Sequence, residues 1–232
     1  MRPGSLALSR RIPFARQVAD TLRDLIVRGE LPAGSRVVER ILCERLNVSR
    51  TPMREALKLL EADGLIEISQ NRGARVMSLT AEEARHLFEV IAELEGLAAG
   101  RAVLAADAEA LAGLEALHAE MLHHYETRAK DAYFALNSRI HDRVVGLSGN
   151  PVLVGSHATL MLRARRGRYA AILYPSRWAE SVGEHEALME AFRRRDPERA
   201  RAVWRTHLAR TGEAVCDGLA AGDGQTLPRA GG

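Results

Sequence analysis

Aromatic residues and cysteines are both scarce in this chain of 232 residues, with aromatics at 4% and two cysteines. Cys43 and Cys216 are too far apart to form a metal or redox motif, so we expect separate thiols in a reducing compartment. No apolar run approaches the about 20 residues of a membrane span. The N-terminus also lacks the apolar stretch of a signal peptide. These absences argue against a secreted disulfide scaffold or a membrane partner and favour the cytoplasm.

The charge is distributed unevenly along the chain. The hydrophobic content of 47% and charged content of 27% are ordinary for a globular protein of one large or two modest domains. Residues 1–79 contain 14 basic and 9 acidic side chains, whereas residues 80–232 contain 19 basic and 21 acidic ones. A basic first part on a slightly acidic remainder favours a nucleic-acid-binding domain at the N-terminus.

Residues 47–57 have the pattern of a helix that reads DNA. Ser49 is a favourable N-cap whose hydroxyl can accept backbone N–H groups, and Pro52 falls in the first turn, where its missing N–H costs nothing. Arg50 and Arg54 lie away from the apolar stripe and can enter a major groove. Taken alone, the segment is equally compatible with a solvated surface helix. The stripe consists of Met53, Ala56, Leu57 and Leu60.

The flanking segments predict a winged helix-turn-helix. Apolar periodicity predicts three helices, and two short β-rich runs around a glycine-containing turn predict a hairpin. Asn47 can adopt the left-handed conformation for the tight turn before the third helix. We therefore predict an N-terminal arm over 1–13 and a DNA-binding domain over 14–79. Its elements are expected at 14–28, 38–46, 49–63, 65–69 and 74–77.

Residues 14–79 resemble the DNA-binding domain of GntR-type bacterial transcription regulators, most closely at 48–57, 60–66 and 72–76. The resemblance implies that arginines of the recognition helix contact an operator, that hydroxyls hold phosphates and that the wing approaches the minor groove. Arg40, on the preceding helix, would also reach DNA, with a solvated or ion-paired side chain as the alternative. The DNA-binding residues expected from the resemblance are Arg40, Ser49, Arg50, Thr51, Arg54, Arg72 and Gly73.

The remainder of the chain, residues 80–220, predicts six helices in an antiparallel bundle. Thr80 and Glu83 form a capping box that opens the first of them. The glycine-rich residues 221–232 predict a disordered tail. The fold class expected for the whole chain is mostly α, a winged helix-turn-helix followed by an all-helical bundle. The six helices are expected at 80–105, 107–128, 131–147, 151–172, 176–194 and 196–218.

Four polar side chains of this bundle predict a metal site. Asn137 and His141 are four residues apart, hence on one helix face, and that face is shared with apolar residues. His185 and His207 lie on two further helices at inward-facing positions. Three imidazoles and one carbonyl oxygen suit a divalent transition metal such as Zn, Ni, Cu or Fe. Each histidine could instead be an ordinary hydrogen-bonded core residue.

Residues 80–218 resemble the FCD ligand-binding domain of the FadR subfamily, in its shorter six-helix variant. That resemblance implies that Asn137, His141, His185 and His207 bind a divalent metal, often zinc, beside a pocket for a small carboxylate effector. Many such domains have an effector-binding arginine where this chain has Ile91. Candidate replacements are Arg139 and Arg163, with Arg165 and Arg166 as further possibilities.

The leading functional hypothesis is a dimeric transcription regulator, a repressor that binds a palindromic double-stranded operator and responds to a small organic acid. A second hypothesis is a metal-dependent enzyme in which a three-histidine site activates water. It lacks an evident general base and leaves the winged helix unexplained, so we assign no catalytic residues and predict that the chain is not an enzyme. A third hypothesis, a constitutive architectural DNA binder, predicts neither metal nor ligand.

Overall fold

A computed structural model describes residues 14–69 and 73–222. The N-terminal unit, called the head here, comprises residues 14–79 within these limits. It contains three helices and a three-stranded antiparallel sheet in the order β1-β3-β2. Its elements are α1 Phe14–Val27, β1 Arg36–Val37, α2 Glu39–Leu46, α3 Arg50–Ala62, β2 Ile66–Ser69 and β3 Gly73–Val76.

The second unit, called the body here, contains six α-helices and no strand among its described residues, 80–222. The six helices match the sequence expectation closely at both ends. The mostly α architecture, with a small sheet only in the head, is thereby confirmed. The helices are α4 Ala81–Ala105, α5 Ala108–Glu126, α6 Lys130–Leu147, α7 Pro151–Ala171, α8 Pro175–Arg193 and α9 Pro197–Ala220.

The turn between α2 and α3 fixes the orientation of the third helix. Asn47 adopts the expected left-handed conformation, with φ of 51° and ψ of 49°. Met53 and Ala56 then become fully buried against the core of the head. Arg23 of α1 donates to Asp63 beyond the end of α3, with Nε 2.9 Å from Oδ2. This partly buried ion pair attaches the end of α3 to α1.

The wing contains a strand that the sequence did not predict. Residues Arg36 and Val37 form β1, which pairs with β3 in the register Arg36 to Arg75. Two residues give too short a periodic signal to identify from sequence. Gly73 opens β3 with φ of +73°, a conformation that favours glycine. The predicted arm at 1–13, Arg72 and residues 223–232 of the predicted tail lie outside the described residues.

Helices α4 and α9 pack antiparallel at the centre of the body. Glycines allow their close approach, because a Cβ at Gly100 would lie 3.2 Å from the carbonyl oxygen of Pro197 and one at Gly212 would lie 2.5 Å from Phe88 Cβ. The capping box that opens α4 is present, with Glu83 N donating to Thr80 Oγ1 over 3.1 Å. None of the helices in the described ranges is long and apolar enough to cross a membrane.

We expect Gly212→Ala to destabilise the body by about 1–3 kcal/mol, because the added Cβ would overlap Phe88 Cβ, which cannot move without shifting α4. Gly155→Ala is the matched control, since nothing lies within 4 Å of a Cβ there. In that exposed helical position alanine should gain roughly 0.5–1 kcal/mol. Urea unfolding followed by circular dichroism measures both changes, and equal stabilities of the two variants would contradict this packing.

Candidate functional site

The recognition helix α3 presents its basic side chains to solvent. Arg50, Thr51 and Arg54 are all exposed, opposite the buried residues of the same helix. Arg54 Nε lies 3.1 Å from a carboxylate oxygen of Glu39 on α2. Because both partners are near the surface, this ion pair contributes little and its arginine can exchange partners. The helix therefore offers a basic, accessible edge.

Ser49 occupies the N-cap position of α3, as expected, with an extended backbone of φ −76° and ψ 166°. The expected capping hydrogen bond is absent, because the Ser49 side chain accepts none of the backbone N–H groups of α3. A helix N-terminus whose N–H groups are not capped by a side chain is suited to an anion such as a phosphate.

Arg40 on α2 pairs with Glu44 one turn later, with Nη1 2.8 Å from Oε1. Both side chains are about two-thirds exposed, so the pair is weak and Arg40 remains accessible. Arg75 of the wing donates to the backbone carbonyl of Gly34. Arg40 thus lies in an exposed position compatible with DNA contact, whereas Arg75 has a structural partner.

Three histidines from three different helices meet inside the body. One ring nitrogen from each of His141, His185 and His207 lies within 4.8 Å of the others. The ring centroids of His141 and His207 are 5.2 Å apart, and those of His185 and His207 are 5.0 Å apart. All three are buried, and the indole of Trp204 stacks on His207 with an interplanar angle of 12°. We call these histidines and Asn137 the histidine centre.

Two buried carboxylates orient the imidazoles from behind. His141 Nδ1 is hydrogen-bonded to Glu95, which also accepts from His157 Nε2 over 2.9 Å. His207 Nδ1 lies 2.6 Å from Glu184 Oε2. A carboxylate behind a metal-ligating imidazole fixes its tautomer and increases its basicity. In both residues the Nδ1 hydrogen bond leaves Nε2 as the ligand atom.

The imidazoles are held in the neutral form that binds metals. Burial lowers the pKa of His141 to about 3, and burial lowers the pKa of His185 well below its usual value. Burial would raise the pKa of the Glu184 carboxyl, but His207 and Arg177 outweigh it and lower that pKa to about 2. The centre therefore combines neutral nitrogen ligands with ionised outer carboxylates.

Whether a metal fits the histidine centre can be judged from its buried polar atoms that have no hydrogen-bond partner. Asn137 Oδ1, His141 Nε2 and both ring nitrogens of His185 are buried with no hydrogen-bond partner among the described residues. Each such atom costs about 1–3 kcal/mol when left unsatisfied. A divalent cation between the three histidines would satisfy one nitrogen each of His141 and His185. Asn137, which lines the adjoining cavity with His207, offers a carbonyl oxygen as a further candidate ligand. The residues present fit the metal that their spacing predicted.

A small cavity adjoins the centre on the side of Asn137 and His207, and two buried arginines reach it. Arg177 is ion-paired, with Nη2 2.8 Å from Glu184 Oε2. Arg168 is 3% exposed and makes no ion pair with any residue in the described ranges, and its Nη2 has no partner there. The carboxylates of Glu95 and Asp142 act on this guanidinium from beyond ion-pair distance, and its Nη2 is available to donate to an anion in the cavity.

The two arginines proposed from sequence as effector ligands lie elsewhere. Arg139 is exposed on α6, because two residues along a helix from Asn137 turns the side chain to the opposite face. Arg163 is exposed on α7 and lines a different pocket, next to the head. Neither lines the cavity beside the histidines. Ile91, at the position of the expected arginine, is fully buried.

Sequence reasoning did not identify the outer residues Glu95, Glu184, Arg168 and Arg177. A signal for two of them was present. Arg177 and Glu184 are seven residues apart on α8, in phase with the buried Leu188, so two opposite charges share an apolar stripe. Charged residues at helix positions that face the core are rarely left unpaired. Such residues are therefore candidates for a buried polar network.

Two protein families match this chain. The family described as "Bacterial regulatory proteins, gntR family" matches residues 14–76, and the family described as "FCD domain" matches residues 86–210. The second match alone spans more than half of the chain and contains every residue of the histidine centre.

Individual relatives agree with these family matches. The chain is 32% identical over 144 residues to YdhC of Bacillus subtilis, an uncharacterized HTH-type transcriptional regulator, covering 62% of this chain and 64% of YdhC. It is 29% identical to the transcriptional repressor NanR of Klebsiella aerogenes over 86% of each chain. The solved structure of Escherichia coli McbR/YncC superposes with a TM-score of 0.77 at 22% identity, covering 89% of this chain and 98% of that one.

We expect His185→Ala to weaken zinc binding by at least about 100-fold, because loss of an outer partner alone typically costs roughly 10–100-fold. His118→Ala is the matched control, since its ring stacks near His185 at 6.5 Å but is not among the three converging histidines. Zinc titration against a chromophoric chelator measures both variants. Equal affinities of His185→Ala and the wild type would contradict a metal at this centre.

Proposed function

The chain belongs to the GntR family of bacterial regulatory proteins and has an FCD domain, and from this we propose that it is a metabolite-responsive repressor. It is a DNA-binding transcription regulator and not an enzyme. In the proposal, a homodimer in the cytoplasm binds a palindromic operator through its two heads. Each body holds a divalent metal, with zinc as the first candidate, and a small carboxylate effector.

The accessible edge of α3 supports operator binding and is the observation that carries the proposal. Arg50 and Arg54 are exposed on a helix that follows a left-handed turn at Asn47, in the region that matches the GntR family. Thr51 and the uncapped N-terminus of α3 at Ser49 offer donors to phosphates. Arg40 on α2 and Gly73 on the wing flank this edge along the chain.

The buried polar atoms of the body support the metal and the effector. The unsatisfied atoms of the histidine centre suit a cation, and Arg168, beside it, has a buried Nη2 without a hydrogen-bond partner among the described residues. A small carboxylate in the adjoining cavity would place one oxygen group toward the metal and another toward Arg168. We therefore assign to Arg168 the effector-binding role that Arg139 and Arg163 had been predicted to fill.

A chain of polar contacts supports communication within the body. The same Arg177 Nη2 that pairs with Glu184 also donates to Thr211 Oγ1 over 2.9 Å and to the carbonyl of His207 over 3.0 Å. An effector that changes the position of His207 would change these contacts between α8 and α9. A coupling free energy of about 1–3 kcal/mol between effector and operator is typical of such systems.

Exposed apolar side chains on α4 support the proposed homodimer. Val90, Leu97 and Leu104 are exposed at seven-residue intervals along α4, so they form one apolar stripe on the outer face of that helix. A second copy of the chain would cover this stripe symmetrically.

A relative supports repression as the direction of regulation. NanR, which matches along most of the chain, is named a transcriptional repressor.

We expect Arg54→Ala to weaken operator binding by roughly one to two orders of magnitude and to relax sequence specificity, since an arginine that reads a base contributes about 1–3 kcal/mol. The operator is first selected by the wild-type protein from random duplexes, and variants are then compared by gel shift. Arg194→Ala, an exposed arginine of the body, is the control of equal charge. Unchanged affinity and specificity of Arg54→Ala would refute the assignment of α3.

We expect Arg168→Met to weaken carboxylate binding by at least about tenfold while zinc content stays unchanged, because a charge-assisted hydrogen bond in a buried site is lost. Zinc-loaded protein is titrated with pyruvate, lactate, malate and citrate by calorimetry. Arg139→Met is the matched control, since Arg139 is exposed on α6. If Arg168→Met retained affinity, or Arg139→Met lost it, Arg168 would not be the effector ligand.

A further inference from the structure

A second pocket lies between the head and the body, apart from the histidine centre. It encloses about 900 Å³ of space free of atoms, including the part open to solvent. None of the residues lining it also lines the cavity beside the histidines. Its apolar wall comes from both units and from the segment joining them, through Ile26, Leu65, Met77, Leu79, Val215 and Leu219.

The charged side chains that line the described part of this head–body pocket are all positive. Among the described residues that line it, two are charged, and both are arginines of α7, Arg163 and Arg166. Arg163 is exposed at the pocket and makes no hydrogen bond or ion pair within the described ranges. The carboxylate that acts on it, Glu83, already accepts from Thr80 N over 2.9 Å in the capping box.

Arg166 is partly buried, at a position where the guanidinium loses water. Burial lowers the pKa of Arg166 from its usual value, because the guanidinium is partly removed from water. An anion near a partly desolvated guanidinium gains more than it would at an open surface. The pocket thus combines an apolar interior with a cationic edge, which is complementary to a molecule with an apolar body and one anionic group.

We propose that the head–body pocket binds an amphipathic monocarboxylate, with its chain or ring between the apolar walls and its carboxylate at Arg163 and Arg166. This site is additional to the effector site proposed beside the histidines and requires no metal. Small pockets of this type are lined mainly by apolar side chains with a few polar groups that set orientation.

The position of the pocket links such a ligand to the recognition helix. Gly64 and Leu65, which line the pocket, directly follow the end of α3 at Ala62 and its C-cap Asp63. Residues 77–79, which also line it, are the connection between the head and α4. A ligand here would contact both the end of α3 and the segment that joins the head to α4. Its binding would bias the orientation of the head, which is a coupling between two sites.

The test uses 4-phenylbutanoate as the probe and 4-phenylbutan-1-ol as its uncharged match, both titrated into the full chain by calorimetry. We expect the carboxylate to bind more tightly than the alcohol, and Arg163→Gln to reduce that affinity by about fivefold, the loss of one charge-assisted contact at a partly exposed site. Ala170→Phe would fill the pocket and abolish binding. Ala119→Phe, on the exposed face of α5, is its control.

Hydrogen exchange gives a second measurement that does not depend on a variant. With the wild-type chain, the probe should protect amides at residues 64–65 and 77–79. His185→Ala should bind the probe normally, so that failure at the histidine centre and failure at this pocket are distinguishable. Absence of binding at millimolar probe, binding unaffected by both Arg163→Gln and Ala170→Phe, or binding lost in His185→Ala would each overturn the proposal.

Discussion

The body packs around a group of buried polar atoms that lack hydrogen-bond partners among the described residues. A bound ligand would supply those partners. Glu95 and Glu184 hold the imidazoles of His141 and His207 by Nδ1. His141 Nε2, both ring nitrogens of His185 and the Asn137 oxygen are buried without a hydrogen-bond partner among the described residues. Buried groups in that state are costly, and structures retain them where a ligand compensates the cost. The packing of α4, α6, α8 and α9 around this centre therefore makes physical sense when a cation occupies it.

The head follows a different constraint, because its function depends on leaving charge uncovered. The buried stripe of α3 attaches the helix to the core, so Arg50 and Arg54 on the opposite face are exposed. Within the described residues, Arg54 makes one exposed ion pair, with Glu39, and such a surface pair is weak. In the proposed function, the body holds a metal and a metabolite at a buried site and the head binds DNA at an exposed one. The head–body pocket lies between these two units.

Much of the architecture followed from local patterns. Apolar periodicity, the Thr80–Glu83 capping box and the left-handed Asn47 are determined within a few residues, so sequence predicted the nine helices of the described ranges and the β2–β3 hairpin. The strand β1 was missed because two residues carry no periodic signal. The Ser49 hydroxyl was predicted to cap α3 and does not, since residue preference identifies the cap position but not the hydrogen bond.

The sequence by itself determined which residues could form a metal site, because helical periodicity places His141, His185 and His207 on inward faces of three helices. Only the tertiary structure decided that these faces meet, that Glu95 and Glu184 stand behind the imidazoles, and that Arg168 rather than Arg139 lies beside them. Periodicity fixes the face of one helix, whereas the meeting of side chains from separate helices depends on how those helices pack, and that is a property of the whole fold.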